Sequence, residues 1–156
     1  MADWVRPGII LYGGCPIRNK MPGDFGLKPV MTLQSKLIGI QNVAMGESVG
    51  YGAKWTAMEP TRIGVVAIGY GDGYPRHAVE GTPVLIRGHL APIVGMVSMD
   101  MITINLNDVE GAKNGDPVTL WGDGLPAERV AEKCGTISYE LFCKITSRVK
   151  KEMVYS

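Results

Sequence analysis

The chain has few of the residues that build metal sites and disulfide frameworks. Only two of its 156 residues are histidines and three are cysteines. The number of cysteines is odd, and the spacing of Cys15, Cys134 and Cys143 is not that of zinc ligands. This pattern indicates reduced thiols in a cytoplasm rather than a disulfide scaffold. His77 and His89 stand apart in predicted loops. We therefore expect no metal site formed by this chain.

The chain also lacks an excess of charge of either sign, and it lacks long hydrophobic runs. The formal net charge is +1, from 16 Lys and Arg against 15 Asp and Glu, and no basic stripe points to nucleic acid or to an anionic membrane surface. No apolar run approaches the ~18 residues of a membrane span, and we find no signal-peptide pattern at the N-terminus. A hydrophobic content of 46% is ordinary for a globular domain. We expect neither a nucleic-acid nor a membrane partner.

Glycine, by contrast, is abundant: the 21 glycines are about twice the ordinary usage. They separate short runs of strand-forming residues, which favours turns and bulges in a many-stranded fold. In the first run the face that carries Leu33 and Leu37 is the more apolar and is expected to face the core. A hairpin is predicted around Arg87, Gly88 and His89. Strands are predicted over 30–43, 62–70, 83–86, 91–97, 102–106, 117–120 and 147–155.

Two helices are predicted late in the chain. The first has Pro126 as an early position and Gly135 as its stop. The second has apolar residues at helical spacing over 137–145, with Thr136 or Ser138 as its cap. The sequence therefore predicts a mainly β domain, a small β-barrel or folded sheet, with two short helices before its last strand.

A tyrosine stands between two glycines twice, in VGYGAKW (49–55) and in IGYGDGYPR (68–76). Flanking glycines free the backbone and let a phenol project from the surface, whereas a packed tyrosine at a strand end is the simpler alternative. Asp72 and Gly73 are expected to form a turn. The apolar run 9–11 predicts a strand buried on both faces, which is usually parallel and has no parallel neighbour here.

Five segments in this order resemble the C-terminal domain of bacterial alanine racemase. They are VRPGIILYG (5–13), VGYGAKW, IGYGDGYPR, APIVGMVSMDM (91–101) and TISYEL with ITSRV (136–149). Members of that family have an N-terminal (β/α)8 barrel that binds pyridoxal phosphate, followed by a β-domain. The resemblance implies that residues 1–14 are the last strand and loop of such a barrel, with the rest of the barrel outside this sequence, and that residues 15–156 are the C-terminal β-domain.

The resemblance also implies an activity. The family is an isomerase that interconverts L- and D-alanine through an aldimine of pyridoxal 5'-phosphate, with two acid/base groups on opposite faces of the substrate. D-alanine supplies bacterial peptidoglycan. The implied enzyme is a cytoplasmic homodimer with composite active sites. Its Schiff-base lysine belongs to the barrel, so the 156-residue chain alone is expected to be inactive.

Five positions match the family's catalytic and cofactor-binding residues. Tyr51 matches the catalytic tyrosine that one subunit supplies to the other. Arg6 matches the arginine at the pyridine nitrogen, where a permanent cation keeps that nitrogen unprotonated. The backbone N–H groups of Gly8 and Ile9, together with the Tyr139 hydroxyl, match the phosphate ligands, and glycine allows a close approach to the anion.

Five further positions match residues of the substrate side. Met99 and Tyr70 match substrate-binding residues. Arg76, Asp100 and Ile137 match residues of the access corridor and the subunit interface.

One position departs from the family. Relatives commonly have an arginine after the glycine of GMVSMD, whereas this chain has Met96. The departure leaves two alternatives open beside alanine racemisation. One is a broad-spectrum amino-acid racemase of the same fold, and the other is a stand-alone β-domain without catalysis.

Overall fold

Glycine and proline divide this chain into short strands, and six of them close into an antiparallel barrel. The computed structural model describes residues 3–154. The strand order around the barrel is β1-β4-β7-β6-β5-β8, and β2 and β3 form a separate hairpin. The strands are β1 (Leu33–Val43), β2 (Ser48–Val49), β3 (Trp55–Thr56), β4 (Thr61–Val66), β5 (Pro83–Ile86), β6 (His89–Val94), β7 (Ile102–Asn105) and β8 (Pro117–Trp121). The prediction of a mainly β barrel is confirmed.

Strand β1 closes the barrel because its two halves pair with different neighbours. Its first half, Leu33–Lys36, pairs with β8. Its second half pairs with β4, after a bulge between Leu37 and Gly39. Leu33 and Leu37 are buried, so the predicted core-facing side of this strand is confirmed.

The barrel interior is filled by branched aliphatic side chains. Ile93, Ile104 and Leu106 are completely buried there, and each such residue contributes about 1.5–3 kcal/mol by leaving water. Gly64 makes room for this packing, because a Cβ on it would lie 2.7 Å from Leu37 Cδ1 and 2.9 Å from Leu106 Cδ1. Close packing of the core therefore requires glycine at position 64 as well as the large aliphatic side chains around it.

The hairpin between β5 and β6 has the predicted turn. Ile86 and His89 are partners across the two strands. The two residues between them, Arg87 and Gly88, have φ of 52° and 81°. Two consecutive residues with positive φ are typical of the tight turn whose twist matches that of paired strands.

Two short helices follow the barrel: α1 (Ala127–Lys133) and α2 (Ser138–Lys144). Gly135 follows α1 with φ of 64°, which is the predicted stop. The predicted cap of α2 is wrong: Ile137 precedes the helix, and no side chain caps its first turn. The Thr136 hydroxyl contacts the carboxylate of Glu140 instead.

Two predicted strands are absent from the described residues. Residues 147–154 form no strand, and residue 155 lies outside the described part. Residues Gly8–Tyr12 form a 3-10 helix rather than a strand, because Gly8 takes a left-handed φ of 55° and no strand of residues 3–154 is placed to pair with this run. The division at residue 14 stays a prediction.

Candidate active site

Tyr51 lies at the tip of the hairpin formed by β2 and β3. Residues Tyr51–Ala53 form a 3-10 turn between these strands. Gly50 and Gly52 have φ of 81° and 71°, a conformation that glycine adopts without steric cost. Tyr51 is 76% exposed. The hairpin therefore carries a phenol that its own barrel leaves uncovered.

This hairpin rests on the turn after β6. A Cβ on Gly95 would lie 3.2 Å from the carbonyl oxygen of Val49, so the two backbones are in close contact. Next to this contact is a cleft of about 280 Å³, whose lining includes Lys54, Arg76 and Met96. The side chains of Lys54, Arg76 and Met96 thus share a cleft at the base of the Tyr51 hairpin with the carboxylate of Glu80.

The second Gly-Tyr-Gly motif uses its glycines differently. A Cβ on Gly69 would lie 2.3 Å from the carbonyl oxygen of Ser98, so this position needs glycine for close backbone approach. The carboxylate of Asp72 accepts the backbone N–H of Gly69 at 2.9 Å. Gly73 then ends the 3-10 turn Tyr70–Asp72 with φ of 99°. The predicted turn at Asp72 and Gly73 is confirmed.

The close approach at Gly69 places Tyr70 beside Met99. The N–H of Tyr70 donates to the Ser98 carbonyl at 3.0 Å, and the N–H of Gly71 donates to the Met99 carbonyl at 2.9 Å. Tyr70 is 37% exposed. The guanidinium carbon of Arg76 lies 5.9 Å from the centre of its ring, within the range of a cation–π contact.

The loop that carries Met99 and Asp100 is a tight turn. The Ser98 hydroxyl donates to the Met101 carbonyl at 2.8 Å and accepts the Met101 N–H at 3.1 Å. Met99 and Asp100 are exposed at the tip of this turn. The carboxylate of Asp100 pairs with the guanidinium of Arg148.

The N-terminal segment packs against both helices. The N–H of Cys15 donates to a carboxylate oxygen of Glu128 in α1 at 2.9 Å. The rings of Tyr12 and Phe142 in α2 lie 6.4 Å apart, centre to centre. The 3-10 helix Gly8–Tyr12 is thereby held next to α2.

The predicted cofactor residues lie on these adjoining elements. Arg6 and Gly8 are exposed, while the Ile9 side chain is buried. Tyr139 lies on the first turn of α2 and is 44% exposed. Ile137, immediately before α2, is 62% exposed. The side chains of Arg6, Ile137 and Tyr139 and the backbone of Gly8 are therefore available to a ligand or to a neighbouring domain.

The second tyrosine of the IGYGDGYPR motif is excluded from proton transfer by its surroundings. Tyr74 is buried and stacks on Trp121, with ring centres 5.9 Å apart. Burial, and then the charge of Cys134, raise its pKa far above the usual range because an ionised phenolate is poorly solvated in the core. Tyr74 therefore serves packing, unlike the exposed Tyr51.

Neither a metal cluster nor a spanning helix is found in the described part of the chain. Within residues 3–154 no three His, Cys, Asp or Glu side chains gather in a way that could hold a metal ion. No helix in that range is both long and apolar enough to cross a membrane.

The model of the family "Alanine racemase, C-terminal domain" matches residues 30–153. The chain belongs to this family. It is 57% identical over 152 residues to the alanine racemase of Aeromonas hydrophila, which covers 97% of this chain and 43% of that protein. It is 54% identical over 149 residues to the biosynthetic alanine racemase of Pseudomonas aeruginosa, covering 96% of this chain and 42% of that protein.

Solved alanine racemases have the same fold. The crystal structure of the biosynthetic alanine racemase from Pseudomonas aeruginosa has a TM-score of 0.96 and 52% identity, covering 98% of this chain and 43% of that one. The alanine racemase of Bacillus anthracis with bound L-Ala-P has a TM-score of 0.79 and 37% identity, covering 91% of this chain and 37% of that one. The chain spans about two-fifths of the length of the curated relatives it matches.

Within this alanine racemase C-terminal domain the predicted residues lie on connected elements. Arg76 lines the cleft at the base of the Tyr51 hairpin and also lies over the ring of Tyr70, whose loop is bonded to that of Met99. The cofactor residues lie on the N-terminal segment and on α2. Arg148, in the ITSRV segment, is not among the predicted site residues, because the sequence alone does not show that its side chain reaches Asp100.

Proposed function

We propose that this chain is the C-terminal domain of a pyridoxal-phosphate-dependent alanine racemase. The observation that carries the proposal is the match to alanine racemases over 97% of the chain at 57% identity, with Tyr51 presented at an exposed hairpin tip. The product, D-alanine, would serve peptidoglycan synthesis in a bacterial cytoplasm.

The described residues fit the phosphate and the ring nitrogen of the cofactor. Gly8 and Ile9 begin a 3-10 helix, so their N–H groups have no acceptor within that helix. A Cβ on Gly8 would meet nothing within 4 Å, which leaves this backbone open to an anion. Together with the Tyr139 hydroxyl they would donate hydrogen bonds to the phosphate, and Arg6 would supply the permanent cation for the ring nitrogen. Bound pyridoxal phosphate supplies an electron sink that acidifies the Cα–H bond of the substrate.

Tyr51 takes or returns the Cα proton on one face of the substrate. Racemisation needs a second acid/base group on the opposite face, and we assign that role to a lysine of the barrel, which lies outside this sequence. Tyr51 is uncovered by its own barrel, and we infer that it serves the active site of the partner subunit in a homodimer. The 156-residue chain is accordingly inactive alone.

The substrate side is formed by two loops of the β-domain. Tyr70 and Met99 bind the substrate, and their loops are joined by backbone hydrogen bonds. Arg76, Asp100 and Ile137 line the access corridor and the subunit interface.

Mixing two inactive variants of the full-length enzyme tests the composite site. One variant lacks the barrel lysine and the other carries Tyr51→Phe, which is expected to cost about 10²–10⁴-fold in rate. In a mixed dimer both lesions fall in one site and the other site is intact. Random reassortment makes about half of the dimers mixed, so about a quarter of wild-type activity should return.

The same experiment contradicts the proposal in two ways. No recovery of activity despite demonstrated subunit exchange means that Tyr51 acts within its own chain. Full activity of both single variants means that neither residue is catalytic and favours a β-domain without chemistry. Absorbance of the bound cofactor in each variant is the control for loss of binding.

A broad-spectrum amino-acid racemase is the second candidate, favoured by Met96. This residue lines the cleft together with Arg76, at a position where relatives commonly have arginine. With methionine in place of one cation the cleft is less positively charged, which would alter its preference among substrate side chains. The measurement is kcat/KM for alanine and serine in wild type and Met96→Arg. An alanine-to-serine ratio that is unchanged by the substitution contradicts this candidate.

A further inference from the structure

Arg148 joins two loops that carry substrate residues. It follows α2, in a segment that forms no strand. Its Nε lies 3.2 Å from a carboxylate oxygen of Asp72, and its Nη2 donates to the carboxylate of Asp100. Asp72 belongs to the loop of Tyr70, and Asp100 directly follows Met99. One guanidinium therefore bridges the two loops.

The bridge passes over Gly71. A Cβ on Gly71 would lie 2.2 Å from Nη1 of Arg148 and 3.0 Å from the Met99 carbonyl oxygen. A side chain at position 71 would displace the guanidinium from this path. The middle glycine of the motif is thus explained by the arginine above it.

The backbone next to Arg148 is fastened to the same loop. The N–H of Thr146 donates to the Asp72 carbonyl at 3.1 Å, and the Thr146 hydroxyl donates to the Gly71 carbonyl at 3.0 Å. These bonds hold the start of the Arg148 segment next to the loop, and the half-exposed guanidinium reaches both carboxylates from there.

We propose that Arg148 is a positioning residue, which fixes Tyr70 relative to Met99 by holding Asp72 and Asp100 together. The role in substrate binding rests on the proposed function, whereas the bridge between the loops does not. Exposed ion pairs contribute little to the stability of a fold, so the effect of Arg148 is local order. A planar guanidinium can serve two carboxylates at once, and a lysine ammonium lacks that fork.

The charge of Arg148 is permanent. The hydrogen bond that it donates to Asp100, followed by the charge of Asp72, raises its pKa above the usual value for arginine. A lysine at this position keeps a positive charge but not the geometry, which makes Arg148→Lys the informative variant. Lys150→Ala is the matched control, because among residues 3–154 Lys150 forms only an exposed pair with Glu152.

Steady-state kinetics of the full-length enzyme provide the first measurement. Misplaced binding groups cost up to about 10²-fold, and we expect kcat/KM for alanine to fall about 10- to 100-fold in Arg148→Lys, mainly through a higher KM. Lys150→Ala should stay within about twofold of wild type. Wild-type kinetics in Arg148→Lys would overturn the proposal.

Amide hydrogen exchange provides a second measurement that does not depend on racemase activity. The N–H groups of Tyr70, Gly71 and Thr146 cross between the bridged segments, and we expect their exchange to accelerate at least about fivefold in Arg148→Lys. The N–H groups of β5 and β6 are the internal reference and should not change. Unchanged exchange of these three N–H groups in Arg148→Lys would show that the guanidinium does not hold the two loops together. If exchange is faster in Arg148→Lys but the wild-type enzyme racemises no amino acid, the bridge stands and only the proposed function is overturned.

Discussion

Gly69→Ala should separate the two loops that carry Tyr70 and Met99. The φ of Gly69 is −150°, which any residue adopts, so the substitution adds no backbone strain. The effect of the substitution therefore comes only from steric overlap of the added Cβ with neighbouring atoms. A Cβ on Gly69 would lie 2.3 Å from Ser98 O and 2.4 Å from Met99 C and O, and none of these backbone atoms can rotate away.

The distances give the size of the effect. Ordinary contact begins at 3.4 Å, so 2.3 Å requires the loops to part by about 1 Å. The hydrogen bonds of Tyr70 with Ser98 and of Gly71 with Met99, now 3.0 and 2.9 Å, would then exceed hydrogen-bond length. Two lost hydrogen bonds at about 1 kcal/mol each, with some overpacking strain, lower the free energy of unfolding by about 2–4 kcal/mol.

Urea unfolding followed by circular dichroism measures this change. Gly39→Ala is the matched control, since a Cβ there would make only ordinary contact, at 3.8 Å from Val65, and should change stability by less than about 1 kcal/mol. If Gly69→Ala unfolds at the same urea concentration as wild type and Gly39→Ala, the close approach does not constrain this loop and the reasoning is refuted.

Three further predictions concern buried and exposed titratable groups. Tyr74→Phe should keep or raise stability by up to about 1 kcal/mol in urea unfolding, because the buried hydroxyl has no hydrogen-bond partner among residues 3–154; a clear loss contradicts this. Burial, and then the charge of Glu140, raise the pKa of Cys134 to about 11 from 9.0. Between pH 9 and 11 the unfolded chain releases a proton that the folded chain keeps, so stability should fall with rising pH, and Cys134→Ala should show a smaller fall over the same range. Cys143 is exposed while Cys15 and Cys134 are buried, so a thiol reagent should modify one cysteine rapidly in native protein; rapid reaction of all three contradicts the fold.

Local patterns made most of the barrel predictable. Alternation around Leu33 and Leu37 identified the core face of β1, and the Arg87-Gly88 pair identified a tight turn. Both signals lie within a few residues and need no knowledge of distant partners. The prediction of a strand over 147–155 is wrong for residues 147–154, because apolar spacing does not reveal whether a partner strand is available. The backbone of Thr146 instead bonds to the Gly69–Gly73 loop.

The candidate site was only partly predictable for the same reason. Gly50 and Gly71 each flank a tyrosine, and both suggested freedom of the backbone. The structure separates them: Gly50 has a left-handed φ, whereas Gly71 lies under the guanidinium of Arg148. Contacts between positions 71 and 148 leave no local trace in the sequence.

Barrel closure has a consequence for how the chain folds. Leu33–Lys36 at the start of β1 pairs with β8, so the last seam joins strands more than 80 residues apart. Such non-local pairing is slow, because a long loop must close before its contacts form. During synthesis, β1 and β5 have unpaired edges until Pro117–Trp121 emerges from the ribosome. A nascent chain halted before that strand would present open edges for aggregation.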